Sequence, residues 1–117
     1  MVNEPKRIPA RFYRTPSGHE PVREWLLSLS REDRFRIGSD LKTVEFGWPV
    51  GMPTCRPLGR GLFEVRSTLD GRIARVIFCI ADGRMVLLHG FIKKTQKTPQ
   101  LALNLAYERA HILENTV

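Results

Sequence analysis

The stretch GLFEVRSTLDGRIARVIFCIADGRMVLLHGFIKKTQK, residues 61–97, decides the fold. It holds three runs rich in Val, Ile, Leu and Phe: Leu62 to Ser67, Ile73 to Ile80 and Met85 to Ile92. Such residues suit a pleated, half-buried surface. Asp70-Gly71 and Asp82-Gly83 separate the runs. Asp-Gly favours a two-residue hairpin turn, whose central residues need positive φ. Counting outward from the first turn pairs Leu69 with Arg72, Ser67 with Ala74, Arg66 with Arg75, Val65 with Val76, Glu64 with Ile77 and Phe63 with Phe78. Alternation then gathers Phe63, Val65, Val76 and Phe78 on one face and Glu64, Arg66 and Arg75 on the other. Two arginines directly opposite each other repel. A carboxylate between them or a bound anion would offset that cost, and Glu64 is placed to supply the first without neutralising both. Counting from the second turn pairs Phe78 with Leu87, Val76 with His89 and Arg75 with Gly90. This register puts His89 on the apolar face, leaves room for a ligand beside Arg75 at Gly90, and carries Ile92 and Lys94 to the arginine face. A one-residue slip would reverse these assignments.

The rest of the chain reads as support for that sheet. Residues 1–10 hold two prolines and form a loose arm. Arg11 to Arg14 make a short edge strand, and Thr15-Pro16-Ser17-Gly18 is a turn. Pro21 opens a helix at the position where its missing N–H costs nothing. Its apolar stripe is Val22, Trp25, Leu26 and Leu29. Ser30-Arg31-Glu32-Asp33 resembles a capping box and starts a second helix. Ile37, Leu41 and Val44 line one side of it, Phe35 and Trp48 are further anchors, and Gly47 and Pro49 end it. The Gly- and Pro-rich segment Val50 to Arg60 is a connector. Thr98 caps and Pro99 opens a last helix with two apolar stripes, Leu101–Leu105–Ile112 and Leu103–Ala106–Ala110–Leu113. The expected architecture is α+β: an antiparallel sheet of three to four strands, an N-terminal helical hairpin on one face, a basic groove on the other, and a closing C-terminal helix.

A length of 117 residues suits one domain spanning residues 1–117, and 42% apolar residues suit a globular protein. No run approaches the roughly 18 apolar residues of a membrane span. The N-terminus lacks an apolar signal core, so a cytoplasmic location and free thiols at Cys55 and Cys79 are expected. The formal charge is +7. Residues 51–100 hold nine Lys or Arg against three acids, so most of that charge sits there. This distribution points to a polyanionic partner, and nucleic acid is the commonest. Arg56 and Arg60 in the connector are candidates for touching phosphate. No metal-ligand spacing, phosphate loop or nucleophile–base signature appears, so no cofactor and no metal are expected.

The segments Pro21–Leu26, Gly61–Arg66, Ala74–Phe78 and above all Leu87-Leu88-His89-Gly90-Phe91-Ile92-Lys93-Lys94-Thr95-Gln96-Lys97-Thr98-Pro99 resemble the RelE/HigB superfamily of toxins, in its phage-derived, HigB-like branch. The resemblance implies a RelE-like fold and a type II toxin–antitoxin system. Its toxin would enter the ribosomal A site and cleave mRNA without metal. A small antitoxin, usually of helix-turn-helix fold, would neutralise it. The residues fit such chemistry. Arg66 and Arg75 suit bidentate phosphate binding, Lys94 falls at the family's third basic position, and Glu64 is the candidate base. Arg56, Arg60, Lys93 and Lys97 are candidate RNA contacts, and His89 is the alternative acid or base. The sequence departs from its relatives where many place a tyrosine or histidine after the last strand; here stand Thr95 and Gln96.

Two other readings use the same basic face. A toxin of the ParE branch would use it to bind DNA gyrase without cleaving RNA. A phage-derived regulatory protein would use it simply to bind nucleic acid, with steep salt dependence.

Overall fold

The computed structural model describes residues 5–93 and 97–114. Lys94, Thr95 and Gln96 lie outside the described residues. The elements run β1 (Ala10–Phe12), α1 (Pro21–Ser28), α2 (Arg31–Gly47), β2 (Cys55–Gly59), β3 (Leu62–Leu69), β4 (Arg72–Ala81), β5 (Arg84–Lys93) and α3 (Gln100–Glu114). The architecture is α+β, as expected. The sheet has five strands in the order β1-β5-β4-β3-β2, and it is mixed, because β1 runs parallel to β5. β2 forms inside the segment read as a connector. Pro57 is tolerated there because an edge strand needs no ladder donor on its outer side.

The first hairpin has the register counted from Asp70-Gly71, from Leu69 opposite Arg72 to Phe63 opposite Phe78. Of its two central residues only Gly71 has positive φ; at the second turn Asp82 (52°) and Gly83 (71°) both do. The second hairpin departs from the expected register at a β-bulge. Phe78 faces Leu87, but Ile77 then faces His89, with Leu88 as the extra residue. Beyond it every assignment flips: Val76 faces Gly90, Arg75 faces Phe91 and Ile73 faces Lys93. His89 therefore leaves the apolar face for that of Ile77 and Arg75. Ile92 packs in the core, and Phe91 and Lys93 take the arginine face in place of Gly90 and Ile92.

Each face of the sheet has its own core. One buries Val22, Ile37, Leu41, Val44, Val65, Val76, Phe78 and Leu87 beneath α1 and α2, with Trp25 and Trp48 packed against it. Gly90 belongs here: a Cβ on it would lie 2.4 Å from the Trp25 ring. Its missing side chain makes room for tryptophan, not for a ligand beside Arg75. The other face is not left as an open groove. Ala102 and Ala106 of α3 close over Leu62, Ile77, Val86 and Leu88. The small residues let the helix approach closely, while Leu101 points outward at 82% exposure.

Local signals behave unevenly. Pro21 opens α1, and Ser30 caps α2 by accepting from the Asp33 amide at 3.2 Å. Phe35, expected as an anchor, is 77% exposed. The arm is anchored from Lys6 onward: Ile8 is buried, the Arg7 and Ile8 amides donate to the Glu45 carbonyl, and Lys6 Nζ lies 3.0 Å from the Glu45 carboxylate.

Candidate functional site

The register that places Arg66 opposite Arg75 puts Glu64 and both guanidiniums on one face of adjacent strands. Edge strand β2 adds Arg56, paired with Glu64. Glu64 and Arg75 are both fully buried. Thr98, just ahead of α3, completes the cluster. Its hydroxyl donates to Glu64 Oε2 at 2.6 Å. It accepts from Arg56 Nη2 at 2.9 Å and from Arg75 Nη1 at 3.3 Å. One donor and two acceptor sites are the full capacity of a hydroxyl. Arg56 Nη2 also donates to Glu64 Oε1 at 3.2 Å, and Arg75 Nη1 lies 3.7 Å from that oxygen. Thr98 was read from sequence as a helix cap; its side chain serves this network instead. A polar residue directly after the Lys-rich stretch 93–97 of the sequence was the one signal that could have pointed to it.

Among the described residues, Glu64 is the carboxylate that Arg56 and Arg75 share, with Arg66 beside them on the same face. Burial lowers the Arg75 pKa, Glu64 opposes that shift, and Arg66 and Arg56 add to it. The same carboxylate is felt behind the strand: burial, then Glu64, pushes the Cys55 thiol up to about 11.

Arg66 connects the network to solvent. It is half-buried and lines a cleft of about 660 Å³ between α2 and the end of β3 and β4. Ile73 lines the same cleft, and exposed Lys93 pairs with Ile73 across the strands. Lys97 is exposed next to Thr98. Arg75 and Glu64 stand behind this front with no exposed surface, and Lys94 lies outside the described residues. Arg60 is elsewhere. It stacks over Tyr107, 4.6 Å from the ring centroid, beside a second groove near the end of α3 that Arg11 also lines. His89 is half-buried and stacked on Phe91. Burial first, and Arg109 second, lower its pKa. Arg109 is held by the Leu88 carbonyl at 2.6 Å. The expectation that His89 sits in the core under the helical hairpin is thus corrected: the bulge moves it beneath α3.

The profile of the phage-derived protein family Gp49-like (DUF891) matches residues 24–111, a span that covers α2, all four antiparallel strands and most of α3. The chain belongs to the Gp49-like family. This family is phage-derived and toxin-like, associated with the toxins of toxin–antitoxin systems. No curated protein matches the chain. The Gp49-like span contains Arg56, Glu64, Arg66, Arg75 and Thr98, so the cluster falls within the family's own domain. Among the described residues no three His, Cys, Asp or Glu side chains gather as a metal site, and no helix is long and apolar enough to cross a membrane.

Proposed function

We propose that this Gp49-like chain is the toxin of a type II toxin–antitoxin pair and a ribosome-dependent mRNA endonuclease. What supports this reading above all is the pairing of Arg66 with Arg75, one guanidinium lining an open cleft and the other buried behind it against Glu64 and Thr98. In the reaction the substrate's 2′-oxygen attacks the adjacent phosphorus and the P–O5′ bond breaks, leaving a 2′,3′-cyclic phosphate and a 5′-hydroxyl. A base takes the 2′ proton, and an acid protonates the leaving oxygen. Arg66 holds a non-bridging phosphate oxygen and stabilises the charge that grows there. Arg75 keeps Arg66 company as a buried cation and raises the local potential. Glu64 is the candidate base: once the RNA phosphate draws Arg56 away from the Thr98 hydroxyl, that oxygen is open to accept the 2′ proton while passing its own to Glu64. Lys94 is the third cation, and Lys93 and Lys97 guide the flanking phosphates. The partners are mRNA in the ribosomal A site and a small antitoxin, in the cytoplasm, with no metal required.

The test is induction in cells followed by primer extension on cellular mRNA. Cleavage ends within translated regions are expected, and Arg66→Ala or Lys94→Ala should remove both these ends and the growth arrest. Arrest that persists in both variants removes this site from consideration. Intact mRNA with induced DNA damage would favour the gyrase reading instead.

A further inference from the structure

Phe35 is the anomaly on α2. An aromatic ring 77% exposed costs apolar hydration, yet it stands among polar neighbours. Phe35, Arg36, Ser39 and Asp40 stand at i, i+1, i+4 and i+5, so they form one flank of the helix. That flank is one wall of the cleft, and Arg66 and Ile73 lie on the opposite wall. Arg36 is held by Glu32 at 3.1 Å and lies 3.7 Å from Asp70, across on the β3–β4 turn. Arg72 of β4 reaches Asp33 of α2 at 3.0 Å. These two ties link the helix to the hairpin on either side of the turn.

We propose that this cleft is a nucleotide pocket in which Phe35 stacks a base next to the phosphate held by Arg66. The inference rests on the nuclease reading for the role of Arg66 and adds the part of the substrate that Arg66 alone does not bind. A free aromatic face accepts any nucleobase, because every base has a π-face. A guanidinium across the cleft supplies the phosphate contact. Asp40, one turn beyond Arg36, offers an acceptor to the exocyclic amine of adenine, cytosine or guanine, which uracil lacks. The pocket therefore takes single-stranded RNA and disfavours uracil.

The experiment measures binding of 5′-labelled hexa-adenylate and hexa-uridylate to the full chain by fluorescence anisotropy. Hexa-adenylate should bind more tightly than hexa-uridylate. Phe35→Ala should weaken hexa-adenylate binding by about five-fold or more, the low end for loss of one base–aromatic stack. Phe35→Trp should restore it, with quenching of the new indole on RNA addition. Asp40→Asn should narrow the gap between the two oligomers. Leu101→Ala, which removes an equally exposed apolar side chain from α3, should leave binding as it was. Phe35 is exposed, so its variants should fold, and an unchanged thermal melt checks this. Equal binding by Phe35→Ala and the parent chain overturns the proposal, as does a loss of antitoxin co-purification with RNA affinity intact, which would make Phe35 a protein contact. Stacking that survives while no mRNA is cut in cells sinks the nuclease reading and keeps the pocket. Cleavage that proceeds normally in Phe35→Ala does the reverse.

Discussion

Thr98 Oγ1 lies 2.6 Å from Glu64 Oε2, joining the start of the last helix to the middle of the sheet across 34 residues of chain. The same hydroxyl accepts from Arg56 and Arg75, so it is the joint of the buried network. Thr98→Val keeps the shape and removes the hydroxyl. Glu64 loses a donor and two guanidiniums lose an acceptor, all within the interior. The expected loss is about 1–3 kcal/mol in urea unfolding. A midpoint equal to that of the parent chain would show that the network reorganises at no cost.

Glu64 is the carboxylate that Arg56 and Arg75 share, and replacing it leaves their charges facing each other. Glu64→Gln should cost about 3 kcal/mol or more, the range seen when a buried pair loses one partner. The double variant Glu64→Gln/Arg75→Met should recover part of that loss, because it also removes a stranded cation. Additive losses in a double-mutant cycle would argue that the groups do not interact. This measurement separates the folding role of Glu64 from its proposed part in proton transfer.

Gly90 sits against the Trp25 ring, where a Cβ would stand 2.4 Å from two ring carbons. Gly90→Ala should therefore destabilise by about 1–3 kcal/mol through overpacking. Trp25→Leu alone should also destabilise, by leaving a cavity, but the two together should cost less than their sum. Simple additivity in thermal or urea melts would contradict the contact.

His89 carries a pH signature. Its pKa is lowered in the folded chain by burial, with Arg109 facing it from α3. The unfolded chain takes up the proton first as the pH falls below about 6.5. Stability should be full above that value and should decline toward the lowered folded pKa. His89→Gln should flatten this part of the profile of melting temperature against pH. A variant that retains the parent's acid slope would place the responsible group elsewhere.

The three hairpin strands, the first hairpin register and the two-helix hairpin were legible because each depends on near neighbours, whereas edge strand β2 was read as a connector. Asp70-Gly71 sets pairings by counting, Ser30 and Pro21 mark helix starts, and the Ile37–Leu41–Val44 stripe points one way at any tertiary arrangement. Arg66 opposite Arg75 follows from those local rules alone. The bulge at Leu88 does not. It reconciles two distant demands, a glycine under Trp25 on one face and a leucine under α3 on the other, and neither is visible in a run of strand-forming residues. Burial was likewise beyond the sequence: it could put Glu64 and Arg75 on one face, but only the packing of α3, with Thr98 just ahead of it, decided that this face would be partly closed. The exposure of Phe35 was a matter of packing too, since a helix has more apolar flank than its neighbours can cover. Local backbone preference thus determined which residues share a strand face, while long-range packing decided which of them meet solvent, because contact between distant segments is paid for by the whole core and leaves no trace in any single stretch.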